Sequence, residues 1–81
     1  MKIAAYNIRR GIDSKIDIIE GFCFEDNISI LGLSEVDLLE HELPPPIQNY
    51  VAIKSQGPIS RVAVYVHENF DFKVIPYDGK L

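Results

Sequence analysis

Blocks of apolar and polar residues along the first third of the chain predict a strand, a helix and a second strand. The first block, Lys2–Ile8, is apolar apart from its lysine and Asn7, and Arg9, Arg10 and Gly11 interrupt the pattern after it. A run of this length is typical of a buried strand and too short for a typical helix. We therefore expect a first strand over Lys2–Ile8 that leads into a loop.

The next block has the spacing of an amphipathic helix. Its apolar face consists of Ile16, Ile19 and Cys23. Asp13 or Ser14 is expected to cap the amino terminus, and Ser14 with Asp17 three residues later approximates a capping box. The helix should end near Asp26, because Asn27 suits the left-handed residue that often follows a helix.

A second apolar run, Ile28–Leu38, is expected to be a buried strand. Glu35 appears near its end, between apolar Leu33 and Val36. A strand, a helix and a strand within about 35 residues form a βαβ unit, so the two strands should be parallel and joined by a right-handed crossover. The carboxyl edge of such a sheet is where ligands and metals usually bind, and this strand would deliver a carboxylate there.

In the second half of the chain, the apolar residues recur with a period of two, which is typical of strands. Glu40–Gln48 contains three prolines and is expected to be an extended loop. Tyr50–Lys54 and Arg61–His67 are predicted strands separated by a Gly-Pro turn, and Asp71–Pro76 is a predicted fifth strand. The tight turns make these three strands an antiparallel meander. The expected fold class is therefore α/β: a βαβ unit followed by an antiparallel β-meander.

The predicted strand Arg61–His67 shows the clearest alternation of side chains between the two faces of a sheet. Val62, Val64 and Val66 fall on one face. Ala63 and Tyr65 fall on the other, so both faces are expected to be covered. Three aromatic residues are expected in the core: Tyr6, Phe22 and Phe24. Four acidic residues are expected on a solvated helix face: Asp17, Glu20, Glu25 and Asp26.

Composition limits the class of protein. The chain has 81 residues, 47% of them hydrophobic and 25% charged, which fits one small domain or a piece of a larger one. Cys23 is the only cysteine, so it is expected to be a buried thiol in a reducing, intracellular setting, either cytoplasmic or nuclear. The net charge of −4 argues against a surface that coats nucleic acid, but it is compatible with a nuclease active site. Neither a signal peptide nor a membrane span is predicted.

Two polar residues are predicted to meet at one edge of the sheet. Asn7 ends the first strand and Glu35 lies near the end of the second, and in a parallel pair both ends reach the same edge. A carboxylate with an amide beside it is a plausible partial shell for Mg²⁺, which prefers oxygen ligands and retains several waters. The alternative is that Asn7 holds a turn while Glu35 pairs with Arg9 or Arg10.

The two motifs resemble a known family. KIAAYNIRRG followed by ISILGLSEVD is similar to the opening of the endonuclease/exonuclease/phosphatase superfamily, which has the DNase I-like fold. Tyr6-Asn7 matches the family's first motif, and Ile30–Glu35 matches the second. Arg61–Val66, RVAVYV, resembles a later family strand. The resemblance implies that residues 1–81 are an incomplete amino-terminal fragment of a DNase I-like α/β sandwich.

The resemblance also implies an activity and roles for two residues. Glu35 would bind the catalytic Mg²⁺ or Mn²⁺, and Asn7 would support that metal site. Apart from the resemblance, the position of Arg9 and Arg10 at the end of the first strand would let them contact a substrate phosphate; the alternative is that they are an exposed charge pair. The complete domain would hydrolyse phosphodiester bonds of DNA or of another phosphate ester. Ser34 replaces the usual glutamine of the second motif. The sequence Ser-Arg-Val at residues 60–62 resembles the endonuclease domains of retroelements more closely than other members of the superfamily.

The family's later Asp-x-Asn motif and its closing Asp-His pair have no counterpart in this sequence. We therefore expect the chain alone to be inactive, since the base that activates water is missing. The partner of this sheet would be the missing carboxyl-terminal half of the fold, and without it the fragment is expected to self-associate. The alternatives are a truncated, non-catalytic binding or regulatory module with the same fold, and a structural domain with a fortuitous match.

Four other polar residues are expected to have ordinary roles. Asp37 is expected at a solvated loop start and Lys54 on the surface. His41 lies in an acidic loop and should be exposed, and His67 should be a turn residue at a strand end.

Overall fold

The computed structural model describes residues 1–72, which form four strands and one helix. In chain order these are β1 (Ile3–Asn7), α1 (Ile12–Asp26), β2 (Ile30–Leu39), β3 (Tyr50–Lys54) and β4 (Ile59–His67). The loop predicted over Glu40–Gln48 and the strand predicted over Tyr50–Lys54 are confirmed. The fifth strand predicted over Asp71–Pro76 falls largely outside the described residues.

The strands form one mixed sheet in the order β1-β2-β4-β3. β1 and β2 are parallel and are joined through α1, so the predicted βαβ unit is confirmed. β4 runs antiparallel to both β2 and β3, which confirms the predicted hairpin between β3 and β4. The fold is therefore a small α/β domain, and β1 forms one edge of its sheet.

The helix begins earlier than its sequence pattern predicts. Gly11 lies in the left-handed region (φ 70°, ψ 42°) and α1 starts at the next residue, Ile12. The predicted side-chain caps at Asp13 and Ser14 are therefore wrong; the Ser14 hydroxyl instead donates a 2.8 Å hydrogen bond to the Gly11 carbonyl. A glycine adopts this conformation without a steric penalty, so it sets the helix start in place of a polar cap. The predicted end is correct, because Asn27 is left-handed (φ 51°).

β2 ends at Leu39, close to the predicted end at Leu38, but it is irregular around Glu35. Ser34 lies opposite Val62 and Leu38 lies opposite Ser60, so three residues of β2 face the single residue Arg61 of β4. This is a β-bulge, which locally bends a strand and redirects its side chains. Glu35 therefore lies near the carboxyl end of β2, as predicted, but within a bulge that the sequence did not predict.

The core lies between α1 and one face of the sheet. Its largest fully buried side chains are Tyr65, Leu31, Leu33 and Cys23. Cys23 is a free, buried thiol, as expected. The Tyr65 hydroxyl donates a 2.7 Å hydrogen bond to the Pro45 carbonyl, which ties the proline-rich loop to the core.

Three aromatic side chains are more exposed than predicted. Tyr6 is 61% exposed, Phe22 40% and Phe24 83%, so their assignment to the core is wrong. Each residue of a helix is rotated by about 100° from the one before it, so Phe22 and Phe24 lie on either side of buried Cys23. Tyr6 lies on β1, which has no neighbouring strand on its outer side among residues 1–72. The acidic residues of α1 are exposed, as predicted.

The second face of the sheet is only partly covered within residues 1–72. Val66 is buried, but Val62 is 42% exposed, Val51 45% and Ile3 69%. Ala63 and Tyr65, on the face toward α1, have no exposed surface. The expectation that both faces of β4 are covered is therefore wrong at Val62 in the described part of the chain. Within the same residues, the helix is too short and too polar to cross a membrane.

Candidate functional site

The register of the parallel pair brings the two predicted motif residues to the carboxyl ends of β1 and β2. We call this region the β1–β2 edge. Asn7, the last residue of β1, lies opposite Ser34 of β2, and Glu35 is the next residue of that strand. The main-chain pairing continues past Asn7, because the Ile8 N–H donates to Ser34 O (3.1 Å) and the Arg10 N–H donates to Glu35 O (2.9 Å). The loop after β1 is therefore fixed against the bulge of β2.

The side chain of Asn7 holds that loop. Its Oδ1 accepts a 3.1 Å hydrogen bond from the Arg9 N–H, two residues ahead. This is an Asx turn, in which an asparagine side chain replaces a main-chain acceptor. The contact agrees with the alternative that Asn7 holds a turn. An amide oxygen has two lone pairs, so one acceptor position on Oδ1 remains for a ligand.

The side chain of Glu35 is exposed. Among residues 1–72, neither ion pair involves Glu35, so the proposed pairing of this carboxylate with Arg9 or Arg10 is not what the structure shows. Arg10 instead pairs with Asp37, two residues further along β2. The carboxylate of Glu35 is thus available to a ligand at this edge.

Asp37 is the centre of a small charged cluster, which we call the arginine clamp: Arg10, Asp37 and Arg61. Nε of Arg10 lies 3.1 Å from Oδ2 of Asp37, and Nε of Arg61 lies 3.5 Å from Oδ1. The Asp37 side chain is only 20% exposed, whereas those of Arg10 and Arg61 are 83% and 71% exposed. The expectation that Asp37 starts a solvated loop is therefore wrong, because the bulge places it inside β2, between two arginines.

Arg61 was not expected at this site from the sequence. It reaches Asp37 only because β4 lies beside β2, a neighbour relationship that the turn signals between β3 and β4 do not specify. One signal was present in the sequence: Arg61 is a charged residue at the start of the alternating apolar strand predicted over Arg61–His67.

Unusual backbone conformations are concentrated at the same edge. Among residues 1–72, four non-glycine residues other than asparagine have positive φ: Arg9 (52°), Arg10 (70°), Glu35 (56°) and Asp37 (48°). Such conformations are uncommon for these residue types and cost about 1–3 kcal/mol each. Backbone strain of this kind often occurs at ligand-binding and catalytic sites, where the surrounding structure maintains it.

An apolar cleft adjoins the site on the α1 side of β1. It has a volume of about 370 Å³, and its lining includes Asn7 and Arg9 together with Tyr6, Ile18 and Phe22. Lys15 also lines this cleft, and it donates hydrogen bonds to the carbonyls of Ile8 and Arg10 (3.0 Å to the latter). Lys15 therefore stabilises the loop that carries Arg9 and Arg10.

The other polar residues singled out by the sequence lie away from this edge. His41 is exposed and His67 accepts a 3.2 Å hydrogen bond from the Asn69 N–H in a turn, both as expected. Lys54 is not a simple surface lysine: its ammonium group donates to the carbonyls of Leu39 (3.1 Å), Glu40 (2.7 Å) and Glu42 (2.5 Å). Lys54 thus holds the chain where it leaves β2.

A larger cleft, of about 680 Å³, lies at the opposite end of β2 and includes Cys23, Tyr50 and His67 in its lining. Burial raises the pKa of the Cys23 thiol above its usual value, and burial likewise raises the pKa of the Tyr50 hydroxyl. A thiol that is 1% exposed with a raised pKa is a poor nucleophile. This cleft is therefore a weaker candidate for chemistry than the β1–β2 edge.

The donor set at the β1–β2 edge is sparse. Within residues 1–72, His, Cys, Asp and Glu side chains form no group of three or more that would hold a metal ion. Asn7 and Glu35 provide one amide and one carboxylate oxygen donor, and a hard cation here would keep much of its water. Mg²⁺ commonly binds through one or two protein oxygen donors and several waters, so the chemical types of these two donors suit it.

No protein-family model matches the chain, and no curated protein or solved structure gives a significant match either.

Proposed function

We propose that the chain is the amino-terminal part of a divalent-metal-dependent phosphodiesterase, an endonuclease that hydrolyses DNA phosphodiester bonds in its complete form. In this proposal the sheet is the first part of a DNase I-like α/β sandwich, and the protein acts inside the cell. The observation that carries the proposal is the parallel register in which Asn7 lies opposite Ser34, one residue before Glu35. It supports the proposal because both motif residues reach one edge of the sheet.

Each residue has a role that follows from its contacts. The exposed Glu35 carboxylate would bind the cation, and Asn7 would offer it the second acceptor position of Oδ1. Arg9, in the loop fixed by Asn7, would contact a substrate phosphate. A bound Mg²⁺ or Mn²⁺ would polarise a phosphoryl oxygen and stabilise the leaving oxygen.

The chain by itself is proposed to be inactive. The sequence lacks the later Asp-x-Asn and Asp-His motifs of the endonuclease/exonuclease/phosphatase superfamily that it resembles. Its only histidines are His41 and His67. His41 is an exposed loop residue and His67 lies at the far end of β4, so neither is placed beside Glu35 to act as a general base. Metal-dependent nicking of a plasmid by the purified chain, lost in Glu35→Ala, would contradict this part of the proposal.

A second candidate is a binding or regulatory module with the same fold and no catalysis. The observation that favours it is that Asn7 Oδ1 already accepts a hydrogen bond from the loop, so this residue has a structural role without any ligand. Such a module would bind a phosphate ester through the arginines without cleaving it.

A metal titration followed by NMR tests the proposal. Mg²⁺ is expected to shift the amide signals of residues 7–10 and 34–37, and trace Mn²⁺ should broaden the same signals. Glu35→Gln should abolish both effects, because it removes the carboxylate charge while it keeps the side-chain shape. Glu25→Gln on the exposed face of α1 is the matched control and should change nothing. Equal shifts in wild type and Glu35→Gln would rule out the metal site.

A further inference from the structure

All three arginines of the chain lie at the β1–β2 edge, although the chain as a whole has a net charge of −4. Arg9 and Arg10 lie in the loop after β1, and Arg61 lies on β4, opposite the bulge of β2. The arginines at this edge outnumber the carboxylates of Glu35 and Asp37. The edge is therefore a local basic region on an acidic protein.

The arginine clamp leaves most of its donors unused. A guanidinium group has five N–H donors, and in both Arg10 and Arg61 the atom nearest Asp37 is Nε. With side chains 83% and 71% exposed, the Nη groups of these residues are open to solvent. Two guanidinium groups fixed by one carboxylate retain a net positive charge and present several free donors to an anion.

One carboxylate oxygen of Asp37 lacks a hydrogen bond in the described part of the chain. Within residues 1–72, its buried Oδ1 has no hydrogen-bond partner, and Arg61 approaches it only to 3.5 Å. A buried carboxylate oxygen without a hydrogen bond is costly, and it persists where the surrounding structure or a ligand requires that arrangement. The left-handed backbone at Arg10 and at Asp37 indicates the same kind of constraint.

We propose that Arg10 and Arg61 form a metal-independent binding site for a phosphodiester anion, and that Asp37 is the positioning residue that orients both guanidinium groups. Arginine is suited to this role because its planar fork binds two phosphate oxygens at once. The choice of a phosphodiester as the ligand rests on the function proposed above, whereas the anion site itself rests only on the arginine clamp. The site would hold the substrate backbone beside Glu35, on the bulge side of the candidate metal site.

Binding of a short fluorescein-labelled single-stranded DNA, measured by anisotropy in EDTA, tests this site. EDTA removes metal, so the result is independent of the metal titration described above. Arg10→Gln and Arg61→Gln are each expected to weaken binding about tenfold, as for loss of a hydrogen bond between charged groups. Each should also lower the slope of log affinity against log salt by about 0.7.

The Asp37→Asn variant distinguishes a positioning role of Asp37 from a purely electrostatic effect of its charge on DNA binding. This variant removes a negative charge, so electrostatic attraction alone would strengthen DNA binding. A positioning role instead predicts weaker binding, because the two guanidinium groups lose their common carboxylate partner. Asp17→Asn, on the exposed face of α1, makes the same charge change away from the clamp and should bind DNA no more weakly than wild type. Arg10→Lys and Arg61→Lys keep the charge without the fork and should recover only part of the affinity.

NMR on the wild-type chain gives a measurement that does not depend on how the variants fold. Titration with the same DNA is expected to shift the Nε–H signals of Arg10 and Arg61. Unchanged signals, or wild-type affinity in both glutamine variants, would overturn the site. Shifts with inorganic phosphate but not with DNA would overturn the phosphodiester assignment. Binding in Asp37→Asn that is tighter than in wild type would overturn the positioning role of Asp37.

Discussion

The main-chain N–H of Arg10 donates a 2.9 Å hydrogen bond to the carbonyl of Glu35, and both residues have positive φ. This bond joins the loop after β1 to the bulge of β2, so each strained segment supports the other. Arg10 also reaches Asp37 through its side chain, at 3.1 Å. The arrangement therefore couples the proposed metal ligand to the arginine clamp through two contacts of a single residue.

The strain at Glu35 predicts that its replacement by glycine stabilises the protein. A left-handed conformation costs a non-glycine residue about 1–2 kcal/mol, and glycine loses about 0.5–1 kcal/mol through its greater freedom in the unfolded chain. Because Glu35 is exposed and has no ion pair within residues 1–72, its side chain contributes little else to stability. Glu35→Gly should therefore raise the free energy of unfolding by about 0.5 kcal/mol, measured by urea denaturation.

The control for this variant is Glu25→Gly, at an exposed residue in the last turn of α1. Glycine there should lower stability by up to about 1 kcal/mol, because Glu25 has ordinary helical backbone angles, which glycine adopts less readily. If Glu35→Gly were as destabilising as Glu25→Gly, the bulge would not be strained at this residue.

The sequence predicts the individual strands and the helix more accurately than the arrangement of residues at the candidate site. Apolar blocks and the Asn27 signal located β1, α1 and β2 within a few residues, because burial periodicity is a local property. The bulge at residues 35–37 was not predictable, since it results from the pairing of β2 with β4, which lies more than 20 positions away in sequence. Asp37 and Arg61 were missed as partners for the same reason. The placement of Asn7 and Glu35 at the carboxyl ends of neighbouring strands was predictable, because a parallel βαβ unit determines it through topology alone.

Lys54 is predicted to contribute to stability although it lies outside the candidate site. Its ammonium group donates to the carbonyls of Leu39, Glu40 and Glu42, which would otherwise lose their partner. Lys54→Met keeps the aliphatic stem and removes the donors, so the free energy of unfolding should fall by about 2 kcal/mol. Lys2→Met, at an exposed lysine, is the control and should change it by less than about 0.5 kcal/mol. Equal stability of the two variants in urea denaturation would contradict the role of Lys54.

The partly covered face of the sheet predicts self-association of the isolated chain. Val62 and Val51 lie on this face and are 42% and 45% exposed. Val62→Lys should shift the sedimentation profile toward monomer, because a charge would be buried if the faces of two chains met. Phe24→Lys places the same charge at a more exposed apolar residue on α1 and should leave the profile unchanged. A wild-type chain that is monomeric at all accessible concentrations would contradict the prediction.

Tyr65 predicts how stability changes at alkaline pH. Burial raises the pKa of its hydroxyl to about 12, above the usual value of 10, and Asp13 and Cys23 add to the effect. The folded state therefore holds this proton more tightly than the unfolded state, so the stabilisation is complete below about pH 10 and is lost as the pH approaches 12. Two pKa units correspond to about 2–3 kcal/mol. Urea denaturation of wild type should show a loss of this size between pH 9 and pH 12.

Tyr65→Phe isolates that contribution from the titration of other groups. The variant lacks the hydroxyl that donates to Pro45, so it should be about 1–2 kcal/mol less stable than wild type at pH 7. Its stability should decline less steeply above pH 10, because the residue no longer ionises, and the two curves should converge. Curves that stay parallel from pH 7 to pH 12 would mean that the Tyr65 hydroxyl does not titrate with the pKa given above.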